Sequence, residues 1–161
     1  MARKGTTRYD SNLQESRIAK TFEGKKQIAS GSLWFLSADV RTDKFLIECK
    51  TTEKDKYTVT LKVWDKIRIE ATRDGLRSPL LIVTISGEDF AVFSSKEFVE
   101  VVEPELSVLG NPPLLRCAGT HSKSFVLRKD DDYGYALLGD HSVSFCKLSV
   151  FLRALKNNYY I

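Results

Sequence analysis

A chain of 161 residues with 42% hydrophobic and 29% charged residues has the composition of one globular domain able to bury a real core, which excludes a disordered or fibrous polypeptide. Its longest apolar stretches, such as residues 79–85, fall far short of the roughly 20 residues that cross a bilayer, and its basic start lacks an apolar signal core, so the expected location is cytoplasmic. The net charge of +4 permits a polyanionic partner without requiring one, and three widely spaced cysteines, Cys49, Cys117 and Cys146, argue against a disulfide framework or zinc knuckle.

Residues 1–10 carry Arg3, Lys4 and Arg8 with almost nothing apolar, and read as an arm awaiting an anion. Ser11 to Gln14 has the form of a capping box, and Gly24 followed by Lys25 and Lys26 supplies a stop, which predicts a helix of about three turns with Glu15, Ile18 and Phe22 inward. Short apolar runs then predict antiparallel strands at residues 27–29, 33–40 and 45–50, with turns at 30–32 and 41–44. Thr58 or Thr60 caps a second helix with a stripe of Leu61, Trp64, Ile67 and Ala71, ending at Asp74-Gly75. Strands follow at 79–86 and 90–94, and Ser95 caps a short helix bearing Phe98, Val101 and Val102. Residues 104–113, with three prolines, read as a connection to a C-terminal extension with strands at 125–128 and 135–138 and an amphipathic helix bearing Leu148, Phe151, Leu152 and Leu155.

The chemistry concentrates at one strand end. Phe45-Leu46-Ile47 has the continuous apolar character of a strand covered on both faces, yet it runs into Glu48-Cys49-Lys50. Alternation along a strand puts Glu48 and Lys50 on one face and Cys49 on the other with Phe45 and Ile47. A short hairpin through residues 41–44 folds Asp39 back beside Glu48, so two carboxylates and an ammonium converge. Such carboxylates hold a hard divalent cation suited to phosphodiester hydrolysis, and Lys50 stabilises charge or positions water. Glu15 offers a third carboxylate; alternatively it is a solvent-facing acid favourable near a helix N-terminus. The competing reading of Glu48 and Lys50 is an exposed ion pair on an edge strand.

With Ser30-Gly31-Ser32, Ala38-Asp39-Val40 and Phe45-Leu46-Ile47-Glu48-Cys49-Lys50-Thr51-Thr52 in this order, the sequence resembles the PD-(D/E)xK nucleases, and among them the Holliday junction resolvases of archaea and phages. Ala38 stands where the family name has proline. The resemblance covers about residues 11–94. It implies an α/β (α+β) restriction-endonuclease-like core at residues 1–103, with a mixed central sheet flanked by helices, and an extension at 104–161 packed on it. It further implies Mg²⁺, replaceable by Mn²⁺, held by Asp39, Glu48, the Cys49 carbonyl and Glu15, with Lys50 at the attacking water. The expected partners are DNA, in the form of four-way junctions, and a second copy of the chain; a phage-encoded protein would act in the host cytoplasm. Arg3, Lys4, Arg8, Ser30, Gly31, Ser32, Arg41, Thr51 and Lys54 form the expected DNA-binding set, with Lys25, Lys26 and Lys56 nearby. Two other readings stand beside this one: a nicking, restriction-like or repair nuclease on the same core, and a DNA-binding module without catalysis. His121 and His141 lack the close sequence partners of a metal or nucleophilic site, and Asp130-Asp131-Asp132 reads as a polar turn.

Overall fold

The computed structural model describes residues 7–26, 38–107, 114–115 and 122–158, with the backbone alone for 7, 8, 114 and 115. The element order begins α1 (Thr7–Thr21), β1 (Lys25–Lys26), β2 (Val40–Arg41), β3 (Phe45–Thr52), β4 (Lys56–Thr60), α2 (Leu61–Arg73), β5 (Ser78–Ile85) and β6 (Glu88–Ser94). It continues with α3 (Ser95–Ser107), β7 (Leu114–Leu115), β8 (Ser124–Arg128), β9 (Tyr133–Leu138), β10 (His141–Lys147) and α4 (Leu148–Asn157). The fold is mixed α/β, as the sequence predicts, with a central mixed sheet and helices on both faces. Among the described residues, no helix is long and apolar enough to cross a membrane.

Eight strands form the central sheet in the order β1-β2-β3-β5-β6-β10-β9-β7, and β4 pairs with β8 in a separate two-stranded sheet. β3 and β5 run parallel, joined by a crossover through β4 and α2, and β7 and β9 form the second parallel pair. A strand sandwiched between layers must be apolar on both faces, and β5 obeys: Leu80 and Ile82 pack on one side, Leu81, Val83 and Ile85 on the other. The first side carries α1, α3 and α4, where Phe151 stacks on Phe93 at 4.8 Å and meets Phe98 edge-on at 5.8 Å. The second carries α2 and the β4–β8 pair, with Trp64, Ile67, Val59, Phe125 and Leu127 buried.

Several elements differ from expectation. α1 begins four residues before Ser11, so Ser11 lies inside the helix and residues 7–10 of the predicted arm are helical. Lys25 and Lys26 form β1, paired with Arg41 and Val40, where a helix stop alone is predicted. Gly24 is required there: a Cβ would come within 2.8 Å of Thr42 Cγ2 and 2.9 Å of the Arg41 carbonyl. Thr60 is the cap of α2, accepting the Val63 N–H at 3.2 Å, as predicted. The β2–β3 turn is built by Thr42, whose Oγ1 accepts the N–H groups of Lys44 and Phe45 at 3.1 and 2.8 Å. β4 and β10 are strands that the sequence reading omits. α3 runs on through Pro104 to Ser107, so the predicted connection starts inside a helix, and the Ser95 hydroxyl meets Ser144 Oγ at 2.6 Å. The predicted strand at 27–29, most of that at 33–40, Trp34, Phe35, Cys117 and His121 lie outside the described residues.

β10 lies between β6 and β9 in the central sheet, and α4 shares the core of α1 and α3. Phe151→Ala therefore removes a ring that serves both halves of the sequence, and should cost about 3–5 kcal/mol. Urea denaturation followed by tryptophan fluorescence and by circular dichroism checks this; a loss below about 1 kcal/mol would contradict the shared core.

Candidate active site

Val40 pairs with Ile47 and Arg41 with Leu46, so the chain entering β2 runs beside Glu48. Asp39 donates its own N–H to the Ile47 carbonyl at 3.0 Å, and its Oδ2 accepts the Cys49 N–H at 2.7 Å. The carboxylate takes the place of a strand residue in the ladder just ahead of the first residue of β2. In an extended strand the N–H and C=O of one residue point to the same side, which places the Cys49 carbonyl on the Asp39 side as well.

Glu48 is 5% exposed, on the sheet face that α2 covers. A buried carboxylate needs partners, and Glu48 Oε1 has two: Lys50 Nζ at 3.1 Å and Lys66 Nζ at 3.7 Å. The first confirms the alternation argument, since Lys50 and Glu48 share a face. The second comes from α2 and is invisible to any local pattern. Tyr57 on β4 also stands near: burial raises its hydroxyl pKa, Lys50 opposes this and Glu48 adds to it.

Electrostatics tie the acids together. Burial first, and the charge of Glu48 second, push the Asp39 carboxyl up to about 7, while the Cys49 N–H works against them. Burial pulls the Lys50 ammonium down, but the charge and hydrogen bond of Glu48 outweigh it and leave its pKa above the ordinary lysine value. Glu48 thus holds Lys50 in its protonated form, which favours charge stabilisation over proton abstraction. Burial also raises the Cys49 thiol pKa, so Cys49 has only backbone groups to offer a hard cation.

Glu15 is half-buried and held by Lys26 at 3.4 Å. The inward residue on that turn of α1 is Gln14, a correction to the predicted helix face: with Ile18 and Phe22 it follows an i, i+4, i+8 spacing. Gln14 Nε2 donates to the Lys50 carbonyl at 2.7 Å and to Thr84 Oγ1 at 2.9 Å, fastening α1 across the ends of β3 and β5. Glu15 still acts on Asp39 through its charge. Among the described residues, no three His, Cys, Asp or Glu side chains gather closely enough to cage a metal ion. The site offers two neighbouring carboxylates that repel one another, a donor set whose chemistry fits one divalent cation.

Of the predicted DNA-binding residues, Arg41 is paired with Asp74 at 2.8 Å, Thr51 is half-buried on β3, and Lys54 is exposed in the turn after it. Arg3, Lys4, Ser30, Gly31, Ser32 and the Arg8 side chain lie outside the described residues. His141, expected to lack the partners of a metal or nucleophilic site, has its Nε2 3.3 Å from Asp65 Oδ1. Asp131 closes the predicted polar turn by accepting the Arg128 N–H at 2.8 Å.

No protein-family model and no curated protein sequence matches the chain. Among solved structures it is similar to Hjc, a Holliday junction resolvase of the archaeal hyperthermophile Archaeoglobus fulgidus. The likeness has 11% identity and a TM-score of 0.44, over 77% of this chain and 88% of that one.

A carboxyl with a raised folded pKa binds its proton more tightly folded than unfolded, so it destabilises the fold as pH rises between the two values. For Asp39 that window runs from about 4 to about 7. Without divalent ions, wild-type stability should fall across it relative to Asp39→Asn, and the gap should stay constant above it. Urea midpoints at half-unit pH steps read this out; parallel profiles would show that burial and Glu48 do not raise the Asp39 carboxyl.

Proposed function

We propose that this chain is a Mg²⁺-dependent DNA endonuclease of the PD-(D/E)xK type that acts on branched DNA, with four-way junctions as its preferred substrate. The observation that carries the reading is the meeting of Asp39, Glu48 and Lys50 at the end of a strand buried on both faces, in the order and spacing of that motif. Asp39, Glu48 and the Cys49 carbonyl hold the cation, with Glu15 as an outer carboxylate, and Mn²⁺ substitutes for Mg²⁺. The cation supplies Lewis acidity toward the scissile phosphate and toward water.

The residues of the chain do the rest. Asp39 stays aimed because its Oδ2 is tied to the Cys49 N–H. Lys50, protonated, holds the attacking water in line and offsets charge developing on phosphorus. Gln14 fixes the backbone that carries Lys50 through the Lys50 carbonyl. For the DNA track, a cleft of about 570 Å³ at the start of β3 has Lys25, Arg41, Lys44, Arg77 and Lys156 in its walls beside Glu23 and Asp43. Together with Arg3, Lys4, Arg8, Ser30, Gly31, Ser32, Thr51 and Lys54, these basic groups follow the phosphate backbone, which fixes position without reading sequence. A homodimer, with two sites on opposing strands, supplies the junction geometry.

Asp39→Asn should abolish Mg²⁺-dependent cleavage of a four-way junction while leaving junction binding in Ca²⁺ within about threefold, since the amide matches the carboxylate in size and removes only its charge. Gel-based cleavage and mobility-shift titrations measure the two. Retained cleavage removes Asp39 from the mechanism. Matched four-way, Y-shaped and linear duplexes cut at equal rates would defeat the junction preference while keeping the nuclease.

A further inference from the structure

Lys66 stands on the rim of α2, between the buried Trp64 and Ile67, with about half of its side chain in solvent. Its ammonium reaches back to the sheet and shares Glu48 Oε1 with Lys50, at 3.7 and 3.1 Å. Lys50 already pairs with Glu48 at the shorter distance, so Lys66, farther from the carboxylate and half in solvent, is the looser of its two partners.

Charge counting gives the second ammonium a purpose. In formal charges, the two carboxylates of Asp39 and Glu48 cancel the two ammonium groups of Lys50 and Lys66. A divalent cation on the two carboxylates leaves the group with an excess of two positive charges. A phosphodiester carries one negative charge, and its five-coordinate transition state carries two. The loaded site thus matches the transition state better than the ground state, which is the condition for lowering a barrier. The cation also competes with both ammonium groups for Glu48. Lys66, exposed and on a flexible four-carbon stem, is the one free to swing to the open side of the site.

We propose that Lys66 is a second catalytic cation, contacting a non-bridging oxygen of the scissile phosphate when Asp39 and Glu48 hold a divalent ion. This rests on the nuclease reading above. Since Lys66 is half-exposed, its replacements keep the fold, and Lys66→Met preserves length without charge while Lys66→Arg preserves charge.

Two measurements test it. By calorimetry, Lys66→Met should bind Mn²⁺ at least as tightly as wild type, because a competitor for Glu48 is gone. In four-way junction cleavage with Mg²⁺, Lys66→Met should lose about 10²-fold in kcat with KM within about twofold, and Lys66→Arg should recover most of the loss. Unchanged kcat in Lys66→Met, a rise in KM alone, or weakened Mn²⁺ binding would each overturn the proposal while leaving the nuclease reading intact. A wild-type protein that cleaves no DNA would overturn the nuclease reading and Lys66 with it.

Discussion

A carboxylate buried beneath a helix must be compensated, and the arrangement around Glu48 follows from that need. Its strand is covered on both faces, so Glu48 cannot turn to bulk water without leaving the sheet. Lys50 answers from the same strand and Lys66 from the helix above. Asp39, placed just before the neighbouring strand begins, adds a second acid that the site accepts only with its carboxyl pushed up toward neutrality. Metal-free, the group is an electrostatic compromise; a divalent cation would relieve the repulsion between the acids and release the ammonium groups.

The parts of the sequence farthest from the motif hold this compromise in place. β8 pairs with β4 from Lys56↔Arg128 to Thr60↔Ser124, and the Lys123 carbonyl accepts the Leu61 N–H at the start of α2. The C-terminal third thus clamps both elements that overhang Glu48: the strand bearing Tyr57 and the helix bearing Lys66. On the opposite face, α1 is anchored by Gln14 to the Lys50 carbonyl and by Arg17 to Asp89. The site is braced from three directions, which suits chemistry that depends on holding groups in place.

Where the fold was legible, one rule at a time decided the structure. Period two placed Glu48 and Lys50 together, a continuous apolar run marked β3 as central, and the Thr60 cap with its stripe defined α2. The omissions have physical causes. β10 carries Ser142 and Ser144 among its apolar residues, and Ser144 is buried by pairing with Ser95, so a central strand has the composition of an exposed one. α1 exposes Leu13 and buries Gln14, an inversion of ordinary amphipathicity that made Glu15 look inward. Lys66 occupies a helix position whose local pattern reads as solvated surface; only the packing of α2 on β3 turns it toward the acids.

The central claim is that Asp39 and Glu48 together hold one divalent ion. Titration of the metal-free protein with Mn²⁺, alongside an Asp39→Asn/Glu48→Gln double variant, tests it most directly. One ion per chain in the wild type and none in the double variant is the predicted result; no binding by the wild type, or equal binding by both proteins, would contradict it.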